Sequence, residues 1–531
     1  MKTLTKKKIK RIAVILVIIL LPITLIGQTQ SSSVEIVLAD EPAVVLGDTT
    51  ISLGDAIKRA ITSNYDLLSG AYDVAMTDTL FQQLQKKYAW FLNAEGGYSY
   101  SKNPGSLAML YGEEARTIDG NVSLSKGFST GTRVTAGVSN QYSKINTRTI
   151  EFPNPFTGNI EEIELGLSMP RSHMPVLFAG VQQELLKNSF GRSDRLQDKI
   201  ASNTAKMQKE VILQSLSMVV VGVIVDYWNV IIAKTNLDNT ILQRDQTVRV
   251  RNIIQRNVNL GLVDSFQINY YNSLVANSEA SLARARQNYA SALRTFLSTI
   301  NAPDIEIVMN KVILTDKLAD LNEEEALKIA FAKRADYQNA LLAMDNAKMN
   351  RNMVNSSGLP SLTASLQVQS IDQDEVFKTA AGRVGNFKYP TVSGRLALSH
   401  PLGDSDIKVR ERNANFQLKQ AELALEQTRR NINDDIKNQI DNVNASHIVY
   451  INAREARRQS ETYFNRMLNN LARGRLDSAT VKNGLDALIM SRQAEIGTLV
   501  GYNISLLQFL VAKNQLWERF DIDVEQYIPK D

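Results

Sequence analysis

The sequence predicts a mixed, mainly α fold built from two internal repeats, each a long helical hairpin with β-strands at the end away from its turn. Three observations predict it. The turn LGLVDS at Leu260–Ser265 returns as RGRLDS at Arg473–Ser478, and at the same 213-residue offset Asn252, Asn257, Tyr289 and Phe296 fall on Asn465, Asn470, Tyr502 and Phe509; a recurrence of this kind marks repeated architecture. Each turn sits between long stretches that lack Pro. Ahead of each of these stretches, the apolar period changes from helical to two.

Taken in order, Lys2, Lys6, Lys7, Lys8, Lys10 and Arg11 precede the apolar run Ile12 to Ile26, the basic-then-apolar layout of a secretory signal peptide over 1–27. The run is shorter than the ~20 residues of a spanning helix. Residues 28–50 form a polar lead. The first repeat occupies 51–310. Leu53, Ala56, Ile57, Ala60, Ile61, Leu67 and Leu68 carry helical spacing that continues to Ala89, one helix of about 37 residues by that periodicity. Barrel strands follow within 94–186: Ala94, Gly96, Tyr98 and Tyr100 alternate with polar neighbours, a hairpin spans Asn121 to Tyr142 around GFSTG, and Met174 to Leu186 is a weaker strand. Between the last two, Ile145 to Pro170 shows no period and reads as a loop. Ser193 to Val258 then reads as a helix of roughly 100 Å at 1.5 Å per residue, ending at the tip turn 259–265. Asp264 to Ile300 returns with an Ala-rich seam.

The second repeat, 311–520, follows the same plan. Ala56, Lys58, Ala60 and Asp66 recur 270 residues later as Ala326, Lys328, Ala330 and Asp336. Strands lie within 361–399, a polar loop joins them, a long helix covers Ser405 to Leu471, the tip turn is 472–478, and the last helix reaches Phe520. Residues 521–531 are a tail. At each tip, Gly supplies the left-handed backbone that ends a helix, and Asp264 and Asp477 stand where an N-cap would.

Composition narrows the function classes. Without the six N-terminal cations, 54 Lys plus Arg face 55 Asp plus Glu, so the basic footprint that nucleic acid requires is missing. With no Cys, disulfides and thiolate metal sites are excluded. His173, His400 and His447 are the only histidines, no Gly-Lys phosphate loop occurs, and each histidine reads as a surface or loop residue. No enzyme activity and no cofactor are expected. The mature sequence shows no further long apolar run, so a membrane contact is expected through alternating strands.

In this order of elements the chain resembles the TolC-type outer-membrane efflux proteins. The openings ISLGDAIKRAI at Ile51 and LNEEEALKIAF at Leu321 and the return helix GLVDSFQINYYNSLVANSEASLARARQNYASALRTFL from Gly261 carry the resemblance. It implies a homotrimer: an outer-membrane β-barrel continued by a periplasmic α-helical coiled-coil barrel, in a Gram-negative-type bacterium. The implied role is the exit duct of a tripartite efflux or type I secretion system, docked at its tip to a periplasmic adaptor (membrane fusion) protein and an inner-membrane pump. Gly261, Leu262, Gly474 and Arg475 are the candidate docking residues, and Asp264, Asp477 and Asp486 the candidate aperture charges, with Arg475 placed to pair with Asp477. Thr480 and Asn483 stand where well-known members have constricting acids. The family has two strands per half, and the girth of a helical tunnel favours about 12 barrel strands over about 18. A periplasmic coiled-coil adaptor or scaffold is the alternative reading.

Overall fold

The computed structural model describes residues 44–46, 49–104, 114–146, 148–153, 155–156, 158–165, 169–302, 307–309, 314–473 and 475–529. The expected signal segment 1–27 and Gly474 lie outside the described residues. In chain order the strands are β1 Val44–Leu46, β2 Thr49–Ile51, β3 Trp90–Lys102, β4 Glu114–Gly127, β5 Thr132–Asn146, β6 Arg148–Pro153, β7 Ile160–Leu165, β8 Met169–Glu184, β9 Ile307–Met309, β10 Ser361–Ile371 and β11 Pro390–Ser399. The helices are α1 Leu53–Ser63, α2 Tyr65–Ala75, α3 Thr79–Gln85, α4 Arg192–Asn259, α5 Phe266–Thr299, α6 Glu323–Lys333, α7 Ala335–Ser357, α8 Phe377–Gly385, α9 Ser405–Ala472, α10 Ser478–Ala512 and α11 Leu516–Arg519.

The helix expected from Ile51 to Ala89 is broken, and so is its counterpart. Asn64 leaves the helix at φ −71°, ψ 129° and turns its side chain to the backbone N–H groups of Asp66 (2.9 Å) and Leu67 (3.2 Å), so it ends α1 and caps α2. Arg334, 270 residues on, breaks α6 from α7 with the same extended backbone, φ −66°, ψ 127°. Apolar periodicity runs through the first break because α1 and α2 bury their apolar residues in one core cluster, which is why spacing alone reads one helix. Arg334 donates to Asp336 (2.8 Å) and Asp435 (2.5 Å), and these carboxylates on either side raise its pKa against the opposing effect of burial.

Helices α4 and α9 are each 68 residues long, roughly 100 Å at 1.5 Å per residue. The apolar stretch of α4 and that of α10 are long and apolar enough to cross a membrane by length and composition, contrary to the expectation that no such run follows the leader. In α4 the stretch is core: Val220, Val223, Ile224, Tyr227 and Trp228 pack against Ile57, Ile61, Phe296 and Leu507. A second cluster joins Ile432, Ile436 and Val443 of α9 to Tyr502 and Phe509 of α10. His447 rests on Tyr502 at 5.0 Å between ring centroids.

The strands form one six-stranded antiparallel sheet in the order β11-β10-β8-β5-β4-β3. Two expectations fail here. The hairpin β4–β5 pairs on both sides, with β3 and with β8, so each chain brings six strands to the sheet and not four. The segment from Ile145 to Pro170 is not a bare loop, since β6 and β7 pair within it from Arg148↔Leu165 to Pro153↔Ile160; Pro153 ends β6, Pro155 lies in the turn, and Pro170 stands at the start of β8. The β-like segment that the sequence shows at Ile305 to Val308 overlaps β9, which joins β1 and β2, strands that the lead 28–50 does not announce, in a small sheet; α8, which alternation does not reveal, occupies the loop between β10 and β11.

The hairpin turn is built into the junction between sheet and helices. A side chain at Gly191, φ +73°, would stand 2.0 Å from the carbonyl oxygen of Ser129, so only Gly lets α4 start against this turn. Beside it Lys87 binds Asp194 (3.2 Å) and Asp198 (3.0 Å), and the Tyr88 hydroxyl donates to Asp198 at 2.7 Å.

The fully buried edge-on pair Tyr227 and Phe296, 5.6 Å between centroids, ties α5 to α4. Phe296→Ala should cost about 3–5 kcal/mol, read as a lower guanidinium midpoint for the helical body; an unchanged midpoint would show that this core is not what holds the hairpin closed.

Candidate functional site

Both hairpins reverse with the same backbone bond. At the first tip Gly261 takes φ +71° and the Leu262 N–H donates back to the Asn257 carbonyl at 2.9 Å. At the second the Arg475 N–H donates to the Asn470 carbonyl at 3.0 Å. Each is the six-to-one closure that satisfies a carbonyl left over at a helix C-terminus. The buried Asn257 side chain also reaches the Leu471 carbonyl at 3.5 Å, linking one tip to the other. Beneath them Ile254, Tyr271, Phe464, Leu468, Val481 and Leu485 form a common core.

The candidate acids separate. Asp477 caps α10: its carboxylate accepts from the Thr480 N–H at 2.9 Å and from the Thr480 hydroxyl, and these bonds lower its pKa. Arg475 is not among its partners, so the expected pairing is replaced by the cap. Asp264 is no cap. The capping position of α5 falls one residue later, on Ser265, whose backbone is already helical and whose side chain makes no capping bond; Asp264 is exposed. Asp486 pairs with Lys482 at 2.5 Å, which raises the lysine pKa.

Gly261 has nothing within 4 Å of where a Cβ would stand, so the first tip is open. Leu262 is 63% exposed, and with it stand Leu260 (66%) and Phe266 (67%). Leu260 and Phe266 were not singled out from the sequence, although three large apolar side chains within seven residues of a helix-ending Gly are the signal that finds them.

At the other end the sheet is amphipathic row by row. Leu92, Leu124, Ala136, Ala179, Val368 and Val392 stand in register across all six strands, and the next row, on the opposite face, is Asn93, Ser123, Gly137, Phe178, Gln369 and Thr391. Tyr98 and Tyr142 lie on the apolar face. Phe178 lies on the polar one, folded over Gly137, where a Cβ would meet its ring at 2.7 Å. Strands β3 and β11 leave their outer edges unpaired among the described residues.

No family model matches the sequence, and no curated protein is significantly similar to it. Solved structures are similar in fold. CusC, whose structures concern folding and transmembrane channel formation, superposes with a TM-score of 0.63 at 12% identity, covering 87% of this chain and 91% of CusC. The chain has the outer-membrane channel fold. The outer membrane protein VceC of Vibrio cholerae gives 0.60 at 12% identity over 87% of this chain and 95% of its own, and the outer membrane channel MtrE of Neisseria gonorrhoeae gives 0.60 at 13% over 90% and 92%.

Asp477→Ala should cost about 1 kcal/mol and fray the start of α10 in hydrogen exchange, whereas Asp264→Ala should stay within about 0.5 kcal/mol. Because the folded pKa of Asp477 lies below the ordinary value of about 3.9, its contribution is complete above that pH and is lost as pH falls through the lower folded value. At this exposed site the loss is small. Equal protection of α10 in both variants would refute the assignment.

Proposed function

We propose that this chain is one protomer of a homotrimeric exit duct in the outer membrane of a Gram-negative-type bacterium, its helices extending through the periplasm. The carrying observation is the open-edged sheet with one apolar and one polar face at the end of two helical hairpins of roughly 100 Å. An apolar face turned to lipid and a polar face turned to a lumen is the pattern of a membrane barrel, and unpaired edges are not tolerated at membrane depth. Three chains close the ring with about 18 strands, a number that leaves an aqueous channel.

Self-association is supported by the helices as well. Val409, Phe416 and Leu423 stand exposed at seven-residue spacing on α9, the seam that a neighbouring helix fills. Duplication of one unit accounts for the matched turns, the equal long helices and the breaks at Asn64 and Arg334. The division at about residue 310 follows from it.

The apolar tip at Leu260, Gly261, Leu262 and Phe266, with Gly474 and Arg475 at the second turn, is the docking surface for a periplasmic adaptor and an inner-membrane pump, making the duct the last part of an efflux or type I secretion assembly. Its chemistry is exclusion and solvation, with no bond broken and no cofactor needed. An adaptor or scaffold has no use for a sheet that alternates apolar and polar rows across six strands.

The purified protein in detergent should scatter light as a trimer, and in a planar bilayer should give discrete conductance steps. Val409, Phe416 and Leu423 changed together to Asp should dissociate it. A wild-type monomer at micromolar concentration, or bilayers without conductance, would sink the duct.

Among the three candidate acids Asp264 alone is neither a cap nor in an ion pair among the described residues, so threefold symmetry brings three such carboxylates to the tip mouth. They should confer a modest cation preference that salt screens. Asp264→Asn should move the reversal potential in asymmetric salt toward zero, and further than Asp477→Asn, whose ionised carboxylate faces a helix N-terminus; no change in either would place selectivity elsewhere.

A further inference from the structure

We propose that α8 and the apolar face of the sheet together form a binding site for a membrane amphiphile, with an acyl chain held under the helix and a phosphate headgroup held by Lys378 and Lys388. The proposal rests on the membrane-barrel reading above and adds a site to it.

The loop between β10 and β11 lies at the end of the sheet away from the helices. It does not stand out as a free loop. The ladder with β8 continues past Ile371, His173 and Asp374 exchanging backbone hydrogen bonds of 2.8 and 3.1 Å. Arg383 then clasps the turn, binding Asp372 at 2.7 Å and Asp374 at 2.6 Å. Those bonds lay α8 over the sheet, and the register identifies the face. Phe377 meets the His173 ring edge-on at 5.7 Å, and His173 rests on Tyr142 at 5.0 Å. Tyr142 and His173 are register partners on the same face as Val138 and Leu177, which is the apolar one. Ala380 and Val384, one turn apart, are buried against it.

The seat is incomplete. Between α8 and the sheet lies a cavity of about 600 Å³ whose lining includes Ala94, Gly96, Gly120, Val138, Leu177 and Val384. Gly96 and Gly120 face each other in register, so two adjoining strands have no side chain there, and the floor is bare. Its lining is mostly hydrocarbon and, the Asn140 amide apart, offers water few partners. Acyl chain satisfies it.

The rim supplies the other half of an amphiphile. Phe377, Phe387 and Tyr389 are about half exposed, and Lys388 lies 5.3 Å over the Tyr389 ring. Lys378 lies in the first turn of α8 and Lys388 just past its end, and neither makes an ion pair among the described residues, whereas Arg383 is neutralised by its two aspartates; the loop's remaining acid, Glu375, precedes the helix. Aromatic rings beside uncompensated cations mark the boundary between hydrocarbon and headgroup. The helix therefore sits where a phosphate at the interface and a chain running along the apolar face are both in reach.

Since the chain has no native Cys, Ala381→Cys and Leu396→Cys can each carry a single bimane in the full-length protein, reconstituted into nanodiscs. Leu396 lies on the bare part of the apolar face, 72% exposed in the protomer, and reports the barrel reading alone. Doxyl groups on the acyl chains of phosphatidylcholine should quench both labels, and aqueous iodide neither. Adding phosphatidylglycerol should increase doxyl quenching at position 381 only. Lys378→Gln with Lys388→Gln should remove that increase, a fall of roughly thirtyfold in preference for anionic lipid at two cations beside the surface. If Leu396→Cys is quenched by doxyl and Ala381→Cys by iodide, the barrel stands and this site does not; if iodide quenches both, the barrel reading itself fails. Quenching at position 381 that ignores lipid charge overturns the phosphate assignment.

Discussion

A sheet with one apolar face and two edges unpaired among the described residues is the constraint around which the rest of the molecule is arranged. Backbone groups at an edge must find partners, most stringently where water is absent. Six strands per chain form one sheet that does not close on itself among the described residues. The sheet is also fastened to the helices at one corner: Gly191 permits contact with the turn at Ser129, and Lys87 bridges to Asp194 and Asp198. A sheet so fixed has its direction set by α4 and α9.

The helices supply that orientation by being long and paired. Each 68-residue helix is flanked by shorter helices that cover its length in two pieces, and the junctions at Asn64 and Arg334 let the short pieces change course while keeping their apolar stripe inward. The two halves differ where the sheet is built. The first carries the added hairpin β4–β5 and the second carries α8, so the halves are alike in the helical body and unlike at the sheet.

The tips show the same division between backbone and side chain. Both close with one hydrogen bond between equivalent positions, Leu262 to Asn257 and Arg475 to Asn470. Their acids nonetheless differ: Asp477 has extended backbone and caps its helix, while at the first tip α5 starts a residue later, from Ser265 in helical backbone, and Asp264 stays in solvent. A one-residue shift in where a helix begins converts a structural carboxylate into an available one.

The helical body apart from its breaks at Asn64 and Arg334, the two turns, and most strands of the sheet were legible in the sequence, because helical period, alternation and Gly-bearing turns are local properties of neighbouring residues. The sequence also showed the added hairpin as an alternating segment. Only tertiary structure decided that β4 and β5 sit inside the sheet, since strand order depends on pairing between residues far apart in the chain. The same holds for α8, whose nine residues are too few for a periodic signal and are held by Asp372, Asp374 and the face of β8. The cap at Asp477 was legible from residue type and place, whereas the roles of Asp264 and Asp486 were beyond the sequence: a carboxylate caps, pairs or stays free according to backbone angles and a neighbour's reach.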